Sequence, residues 1–352
     1  MACMRILFLT KYTRLGASSR LRTFQFIPHF EAYGMKCEIS SLFDDAYLRE
    51  VYKSKTHNKW KALRSFFKRL MVLFRVRSFD HVIIEKELFP YFPPWGERFL
   101  AVLGVRYWVD YDDAIWHNYD VSSNFFVRVF LQHKINVVMR LSKGVVAGND
   151  YIASYAVKAG SQHVVKIPTV INHHRYPIKR TFNQRPLVIG WIGSPITAKY
   201  LTRLVPILKP FVETGKIQLR LIGAGETFSL GLNEEVLLWK EDREAEDIVT
   251  FDVGIMPLED NIWERGKCGY KLIQYMGCGL PVIGTPIGVN KQLIEPGING
   301  WHATTLEEWT EAFSQLLENP EQLLRMGNAG RKKIEEAFTL ERASHSWWNI
   351  LH

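Results

Sequence analysis

The sequence predicts an α/β protein with two Rossmann-like, doubly wound parallel sheets in series. Its 352 residues are too many for one ordinary core, and two domains of about 150 to 180 residues are the usual solution. Short apolar runs alternate with helical segments in both halves, which is typical of parallel strands joined by crossover helices. Between the halves, residues 172–186 are polar, basic and bounded by proline, and this composition predicts an interdomain linker.

Each half contains its own series of predicted strands. In the first half the expected strands are 5–10, 36–42, 81–85, 105–111, 144–148 and 164–168. In the second half they are 187–193, 217–223, 235–239, 252–258 and 281–285, with a mostly helical stretch at 197–214. The predicted domains are therefore 1–172 and 187–335, joined by a linker at 173–186. A C-terminal helix at 336–352 has the first domain as its candidate packing partner.

Composition predicts a cytoplasmic protein with no spanning segment. Hydrophobic residues make up 47% and charged residues 23% of the chain, which is ordinary for a globular protein. No uncharged run approaches the roughly 20 residues of a membrane span, and the apolar start is too short for a signal peptide. None of the four cysteines lies in a CxxC or metal-ligand spacing, so we expect free thiols and no metal.

The net charge of +9 is concentrated in one segment. Residues 51–79 contain nine lysines and arginines and no acidic residue. Basic and aromatic residues interleave there, as in helices that lie on a membrane surface. We expect peripheral association with the anionic inner face of the cell membrane, through Lys59, Trp60, Arg64, Phe67, Lys68 and Arg69. A solvated amphipathic helix is the alternative; nucleic acid competes for the same charge but is not the expected partner.

Ligands in open α/β sheets bind beyond the carboxyl ends of the strands, so the loops there are the candidate sites. After the first strand, Gly16 and Ala17 allow a close approach of the backbone, although an ordinary turn explains them equally well. In the second half, Gly193 and Ser194 precede a helix that carries Lys199. A glycine, a helix N-terminus and a lysine together indicate a diphosphate site, with a solvated surface lysine as the alternative.

Two further loops add candidates at the same strand ends. Gly223 could accept part of a nucleotide, and Trp239 could pack near a base or in the core. In the first half, the strand at 105–111 leads into an acidic cluster, Asp110, Asp112 and Asp113. We expect these carboxylates to face an interdomain cleft, with helix capping by Asp112 or Asp113 as the alternative.

The stretch "ERGKCGYKLIQYMGCGLP" (264–281) gives the clearest signal. Two glycines make its loop compact, and a helix is expected to begin near residues 268–270. Free N–H groups at a helix start, flanked by cations, bind anions. We expect a ligand with a diphosphate to bind at this junction, which comprises Glu264, Gly266, Lys267, Cys268, Gly269, Tyr270, Lys271 and Gln274. Arg265 and Lys267, with Lys199, are predicted to stabilise a departing diphosphate.

At these residues the chain resembles retaining glycosyltransferases of family 4, which have the GT-B fold. The residues that carry the resemblance are "YMGCGLPVIGTPIGVN" (275–290) and "LIEPGINGW" (293–301). The match covers about 187–340 and is looser over 1–175, where it suggests enzymes of bacterial cell-surface polysaccharides and glycolipids. The family's paired glutamates are replaced by Gln274 and Gly266, with Glu264 close by, and its phosphate-binding arginine by Ser194.

The resemblance implies a glycosyltransferase that moves a sugar from a nucleoside-diphosphate sugar to a hydroxyl acceptor. A lipid-linked molecule or a surface glycan is the expected acceptor, near Asp112 and Asp113. Retention, no obligatory metal and no cofactor are also implied. Gln274 takes the position of the ribose-binding glutamate, and Gln274→Glu is expected to be tolerated. The alternatives are a catalytically silent GT-B scaffold and a sugar-nucleotide epimerase.

Overall fold

The computed structural model describes residues 3–54, 59–182 and 186–352, apart from the side chains of 52–54 and 59. The chain divides into two compact units. The first comprises 1–169 together with 340–352, and the second comprises 170–339. The predicted linker at 173–186 therefore falls within the limits of the second unit, and the end of the predicted C-terminal helix groups with the first.

Each unit contains a six-stranded sheet whose paired strands are parallel, which confirms the predicted fold class. In the first unit the order is β2-β1-β3-β4-β5-β6. Its strands are β1 Arg5–Tyr12, β2 Lys36–Phe43, β3 His81–Glu85, β4 Tyr107–Tyr111, β5 Gly144–Ala147 and β6 Val164–Lys166. In the second unit the order is β12-β11-β10-β7-β8-β9. Its strands are β7 Leu187–Ile192, β8 Ile217–Ile222, β9 Glu235–Leu237, β10 Val253–Met256, β11 Val282–Gly284 and β12 Gly300–His302.

Helices connect the strands and cover the sheets. The helices of the first unit are α1 Ala17–Ser19, α2 Ile27–Ala32, α3 Asp45–Ser54, α4 Lys59–Leu73, α5 Trp95–Val102, α6 His117–Asp120, α7 Phe125–Leu131, α8 Lys134–Leu141 and α9 Asp150–Lys158. Those of the second are α10 Pro195–Ala198, α11 Val205–Glu213, α12 Glu244–Ile248, α13 Ile262–Arg265, α14 Tyr270–Gly277, α15 Asn290–Leu293, α16 Leu306–Glu318 and α17 Glu321–Ala337. The chain ends with α18 Leu340–Leu351, in the first unit. None of the helices in the described part of the chain is both long and apolar enough to cross a membrane.

Burial explains why the strands were readable from the sequence. β7 is buried at all six positions, and β4 and β5 are buried along their full lengths. Strands covered on both faces read as continuous apolar runs, because neither face meets water. The capping box predicted from Thr305 and Glu308 is also present at the start of α16.

Two local predictions differ from the structure. The helical stretch expected at 197–214 is divided into α10, a 3-10 helix at Lys199–Leu204, and α11, in which Pro206 occupies the first turn. Proline is tolerated at that place because the N–H it lacks would have no partner within the helix. β12 was not predicted, since a three-residue edge strand gives no apolar run. A Cβ on Gly300 in β12 would lie 2.1 Å from the Val282 carbonyl oxygen, so the close pairing depends on glycine.

The strand orders place a topological switch point in each sheet. In the second unit the chain moves from β7 towards β9, returns to β10 and continues to β12 on the other side, so the switch lies between β7 and β10. In the first unit it lies between β1 and β3. Loops diverge at a switch point and leave a crevice beyond the strand ends, which is where open α/β sheets bind ligands.

Candidate active site

The loop after β7 forms one wall of the switch point in the second unit. A Cβ on Gly193 would lie 2.5 Å from the Trp191 ring and 2.9 Å from Cε of Lys271. Glycine at this position therefore allows the lysine to lie against the end of β7. Gly223, at the end of β8, has φ +74°, and a Cβ there would lie 2.4 Å from the Gly193 carbonyl oxygen. The backbones of the loops after β7 and β8 are therefore in direct contact.

Ser194 and Lys199 follow this loop. Ser194 begins α10 with a capping box, in which its backbone N–H donates to the Thr197 hydroxyl oxygen at 3.2 Å. Lys199 is exposed, and its ammonium lies 5.2 Å from the centre of the Tyr200 ring. Ser194 therefore orders the loop, and Lys199 places a solvated cation beside it.

The loop after β10 forms the opposite wall and carries a buried carboxylate. The Asn261 side chain caps α13 by accepting from the N–H groups of Trp263 and Glu264, each at 3.0 Å. Glu264 is 4% exposed. Its carboxylate accepts the Tyr200 hydroxyl proton at 2.6 Å and lies 3.2 Å from the Lys267 ammonium. A buried carboxylate needs such partners, so Glu264 holds Lys267 and the Tyr200 segment together.

Lys271 is the cation that this arrangement leaves without an acidic partner. It lies in the first turn of α14, with its ammonium 5.3 Å from the centre of the Trp191 ring. Burial and the neighbouring Lys267 ammonium lower the pKa of Lys271 to about 7, against the opposing influence of Glu264. No ion pair reaches Lys271 from the described residues. A bound anion would therefore offset the free-energy cost of burying the charged lysine and its repulsion from Lys267.

Arg265 is held differently from the prediction. Its guanidinium is exposed and makes a bidentate ion pair with Asp260, with distances of 2.8 and 3.1 Å. A diphosphate would have to displace that carboxylate before it could pair with Arg265. The structure therefore gives no direct support for the role predicted for Arg265. Gly266, Cys268 and Gly269 are buried and shape the loop. Gly269 has φ +65°, and a Cβ there would lie 2.5 Å from Leu293.

Gln274 lies one turn further along α14 in a buried polar network. Gln274 is 2% exposed, and its amide nitrogen donates to the Tyr176 hydroxyl at 3.3 Å. The hydroxyl oxygens of Tyr176 and Tyr270 are 3.4 Å apart. Trp239, which follows β9, donates its indole N–H to Glu244 at 2.7 Å. Gln274, Tyr270 and Trp239, all predicted to bind donor, thus lie in or beside one network that also includes Tyr176 and Glu244, which were not predicted.

The acidic cluster of the first unit separates into two groups. Asp110 is 3% exposed and makes a bidentate ion pair with Arg22 at 2.9 and 2.6 Å. Arg22 also donates to the Ile167 carbonyl oxygen at 2.9 Å. The prediction that Asp110 faces a cleft is therefore wrong, because its carboxylate is committed to a buried ion pair that ties β4 to the start of the chain.

Asp112 and Asp113 surround a lysine that sequence reasoning missed. The Lys86 ammonium lies 2.9 Å from Asp112 and 3.3 Å from Asp113, and it donates to the Ser18 hydroxyl at 2.9 Å. Burial would lower the pKa of Lys86, but the two carboxylates raise it well above its ordinary value. Lys86 follows β3 and has φ +67°, a strained conformation for a non-glycine residue. Its place directly after a predicted strand was the available signal.

Other groups at the first switch point are also buried. Glu85 accepts from the Ser19 hydroxyl at 2.6 Å and from the Lys11 backbone N–H at 3.0 Å. Burial raises the pKa of Glu85. Gly16 is buried and Ala17 is exposed at the start of α1, so the structure places both beside the first-unit switch point. They belong to a different unit from the cation cluster around Lys271.

A buried histidine in the first unit also escaped prediction. The His117 ring lies 3.0 Å from the Asp120 carboxylate through Nδ1 and 3.0 Å from the Tyr151 hydroxyl through Nε2. His117 is 7% exposed, close to the end of the acidic stretch. A single histidine after "DYDDAIW" forms no recognisable motif, and its partners Asp120 and Tyr151 are identified only by the tertiary structure.

The predicted membrane residues lie on α4 and face in two directions. Trp60, Arg64, Phe67 and Lys68 are exposed, and Trp60 is 81% exposed. Arg69 is 2% exposed and donates to the carbonyl oxygens of residues 10 and 40 at 2.6 and 2.9 Å. The prediction for Arg69 is therefore wrong, because its guanidinium anchors α4 to the sheet. The Lys59 side chain lies outside the described residues.

Comparison with known protein families finds a match inside the second unit. Residues 186–319 match the family model of the group 1 glycosyl transferases. The match lies wholly within the second unit. The matched residues include the β7 and β10 loops, the Glu264–Lys267 pair and Lys271, so the cation cluster lies at the switch point of the matched region.

Two curated relatives match parts of this chain. Sucrose synthase of Beta vulgaris is 31% identical over 81 residues, which is 22% of this chain and 11% of the relative. N-acetyl-alpha-D-glucosaminyl L-malate synthase of Bacillus anthracis is 29% identical over 146 residues, 38% of this chain and 37% of the relative. The matched parts therefore span well under half of either relative.

Solved structures resemble the whole chain in fold. The structure of Anabaena HepE in complex with UDP-glucose has a TM-score of 0.71 and 14% identity and covers 99% of both chains. Sucrose-phosphate synthase of Thermosynechococcus elongatus has a TM-score of 0.69 and 13% identity, covering 99% of this chain and 98% of that structure. With the two parallel sheets, these likenesses establish the GT-B fold.

Proposed function

We propose that this protein transfers a glycosyl group from a nucleoside-diphosphate sugar to a hydroxyl acceptor, with retention and without an obligatory metal. The observation that carries the proposal is Lys271, a half-buried lysine with no acidic partner among the described residues, at the switch point of a glycosyltransferase domain. The curated and structural relatives named above include sugar-transferring synthases and a complex with UDP-glucose, which supports a nucleotide-sugar donor.

The proposed reaction uses this cation cluster to stabilise the leaving group. The acceptor oxygen forms a bond to C1 of the sugar while the bond from C1 to the diphosphate oxygen breaks. The electron pair leaves with the diphosphate, which takes up the proton of the acceptor hydroxyl. Lys271 and Lys267 lie where that negative charge develops, and a half-buried site strengthens their effect. Lys199 adds a solvated cation at the edge of the same loop.

Glu264 has a positioning role in this proposal. It binds Lys267 through one carboxylate oxygen and Tyr200 through the other. The carboxylate therefore sets the distance between Lys267 and the 3-10 helix that contains Tyr200, and it makes no direct ion pair with Lys271. For the acceptor, we propose the first-unit switch point, where Lys86 orients Asp112 and Asp113.

Release of nucleoside diphosphate from a donor panel tests the proposal. UDP-, GDP- and ADP-sugars are incubated with the protein and a mixture of sugar and glycolipid acceptors, with and without EDTA. We expect release from at least one donor and no loss in EDTA. Lys271→Met should reduce release at least tenfold, whereas Lys209→Met, an exposed lysine on α11, serves as the matched control. Release that continues unchanged in Lys271→Met would overturn the diphosphate assignment.

The same panel separates the two alternative functions. A catalytically silent scaffold would bind a sugar nucleotide without releasing diphosphate under any acceptor condition. A sugar-nucleotide epimerase would convert the donor without needing an acceptor. Acceptor-dependent release with a glycosylated product excludes both.

We also propose that the protein docks on an anionic membrane surface through α4, and that it acts on a lipid-linked or surface-glycan acceptor in polysaccharide biosynthesis. The outward face of α4 presents Trp60 and Phe67, which are 81% and 63% exposed, and Phe74, directly after the helix, is 66% exposed. Arg64 and Lys68 lie exposed on the same helix. Attraction to anionic lipid is worth about 1 kcal/mol per cation, so these two contribute about 2 kcal/mol and the aromatic side chains supply the rest.

The basic segment contributes less charge to this surface than its sequence indicates. Lys61 pairs with Glu50, and Arg75 pairs with Glu38. Arg77 donates to a backbone carbonyl oxygen at 2.8 Å. With Arg69 buried, binding should depend on apolar insertion as much as on charge.

A second exposed apolar helix extends the proposed surface. In α7, Phe126 and Phe130 are 69% and 74% exposed. Aromatic contacts lead from α4 towards it: the rings of Phe66 and Phe92 are 5.3 Å apart, and those of residues 91 and 119 are 5.6 Å apart. Residue 119 lies in α6, directly before α7. We propose that the exposed aromatic side chains of α7 also contact lipid.

Co-sedimentation with vesicles tests the docking proposal. We expect binding to vesicles that contain anionic lipid and little binding to neutral ones. The pairs Trp60→Ser with Phe67→Ser on α4 and Phe126→Ser with Phe130→Ser on α7 should each weaken binding. Val102→Ser, an 85% exposed position on α5, is the matched control. Equal sedimentation with both vesicle types would refute docking by charge, and release of the protein from vesicles by an oligonucleotide would favour nucleic acid as the partner.

A further inference from the structure

Two hydrogen bonds connect position 274 to a carboxylate elsewhere in the second unit, and a third reaches the same carboxylate from Trp239. The Gln274 amide donates to the Tyr176 hydroxyl at 3.3 Å. That hydroxyl donates to Glu244 Oε1 at 2.9 Å, and the Trp239 indole N–H donates to Glu244 Oε2 at 2.7 Å. Gln274 and Tyr176 are buried, and Glu244 is half-buried. The chain of donors therefore ends on Glu244.

The direction of these bonds explains the glutamine. A tyrosine hydroxyl has one proton, and the short bond to Glu244 uses it. Its oxygen can still accept, and the Gln274 amide supplies a donor. A glutamate at 274 would offer no donor and would compete with Glu244 for the same proton. It would also be a second carboxylate in a buried position, which is costly without its own partners. The structure thus reverses the expectation that Gln274→Glu is tolerated.

Glu244 follows the carboxyl end of β9, at the same end of the parallel sheet as the loops after β7 and β10. It is the first residue of α12, which follows β9 and Trp239. Tyr270, whose hydroxyl is 3.4 Å from that of Tyr176, is the first residue of α14. Lys271 is the next residue in the chain. The proposed diphosphate cation and the Glu244 network therefore flank Tyr270 at the start of one helix.

We propose that Glu244 is the carboxylate that binds the ribose hydroxyls of the donor, in place of position 274. This inference rests on the proposed function. An ionised carboxylate has about four acceptor positions, and the described residues use two, one on each oxygen. The two that remain match the two hydroxyl donors of a ribose. Tyr176 and Trp239 fix the carboxylate in advance, so its ordering is complete before the donor binds.

Discrimination between ribose and deoxyribose tests this inference. Calorimetry with the full chain first ranks UDP, GDP and ADP, and the tightest ligand is then compared with its 2′-deoxy and 3′-deoxy forms. We expect the ribose form to bind about tenfold more tightly, because a hydroxyl bonded to a charged acceptor is lost in each analogue. Glu244→Gln should weaken the ribose form most and each analogue less, because each analogue keeps one hydroxyl, so the preference for ribose should shrink. Glu246→Gln, on the same helix and exposed, is the matched control.

A charge exchange within the network gives a second measurement. Gln274→Glu alone should lower Tm, and adding Glu244→Gln should raise it again, because the pair then presents one carboxylate and one amide to the Tyr176 hydroxyl. If none of the three diphosphates binds the wild-type protein, the proposed function fails. If one binds but its ribose preference is unchanged in Glu244→Gln, the Glu244 assignment alone is overturned.

Discussion

The lowered pKa of Lys271 predicts that nucleoside diphosphates bind less tightly as pH rises. The pKa of Lys271 is about 7, below the ordinary 10.5, because of burial and the Lys267 ammonium, with Glu264 acting in the opposite direction. The ligand-free protein therefore loses the Lys271 proton as pH rises through about 7. A diphosphate favours the protonated form, so binding must draw on a shrinking protonated population above that pH.

The expected magnitude follows from the protonated fraction. With a pKa of about 7, Lys271 is roughly 24% protonated at pH 7.5 and about 1% protonated at pH 9.0. If the protonated form alone binds, the apparent Kd rises by the ratio of these fractions, which is about 25-fold. The second pKa of a terminal phosphate is about 6, so UDP itself hardly changes charge in this window.

Calorimetry of UDP binding at four pH values between 7.5 and 9.0 measures how the apparent Kd changes with pH. Buffers of different ionisation enthalpy report the proton taken up on binding. Lys271→Arg keeps its charge throughout the window and should bind with little pH dependence. Lys271→Met should bind weakly at every pH. A flat wild-type profile, or the same slope in Lys271→Met, would refute the reasoning.

The same lysine should lower the stability of the ligand-free protein. Its pKa is higher in the unfolded chain, so between about pH 7 and 10.5 the unfolded state binds more protons and stability rises with pH. Lys271→Met should therefore raise Tm near pH 7 while it weakens binding. Such a trade of stability for function is common at binding sites.

Three further predictions follow from particular contacts. Gly193→Ala places a methyl group against Trp191 and Lys271 and should weaken UDP binding at least tenfold by calorimetry. Because both changes act on Lys271, the double variant with Lys271→Met should lose less binding free energy than the two single variants together. Asp110→Asn leaves the buried Arg22 without its counter-charge and should cost about 3–5 kcal/mol in urea unfolding; a cost below about 1 kcal/mol would contradict the buried ion pair. Tyr200→Phe removes the hydroxyl bonded to Glu264 and should cost about 1.5–3 kcal/mol by the same measurement, whereas an unchanged midpoint would show that Lys267 satisfies the carboxylate alone.

The strands were predictable because burial on both faces leaves a local mark. β3 and β7 read as unbroken apolar runs, and the loops at their carboxyl ends could be chosen as candidate sites by a general rule. The start of α14 was also predictable from Gly266 and Gly269, which no regular element would carry so densely. These features depend on neighbours in the sequence and so need no knowledge of distant contacts.

The sequence by itself determined the two parallel sheets, the glycine-rich loops and the basic content of the candidate site. The tertiary structure decided which of those charges are available. Arg265 pairs with Asp260, Arg69 is buried on the inner side of α4, and Asp110 pairs with Arg22, whereas Lys271 has no acidic partner among the described residues. The link from Gln274 through Tyr176 to Glu244 joins three parts of the chain separated by up to 98 positions. A charge acts according to the groups within a few ångströms of it, and those groups are chosen by the fold.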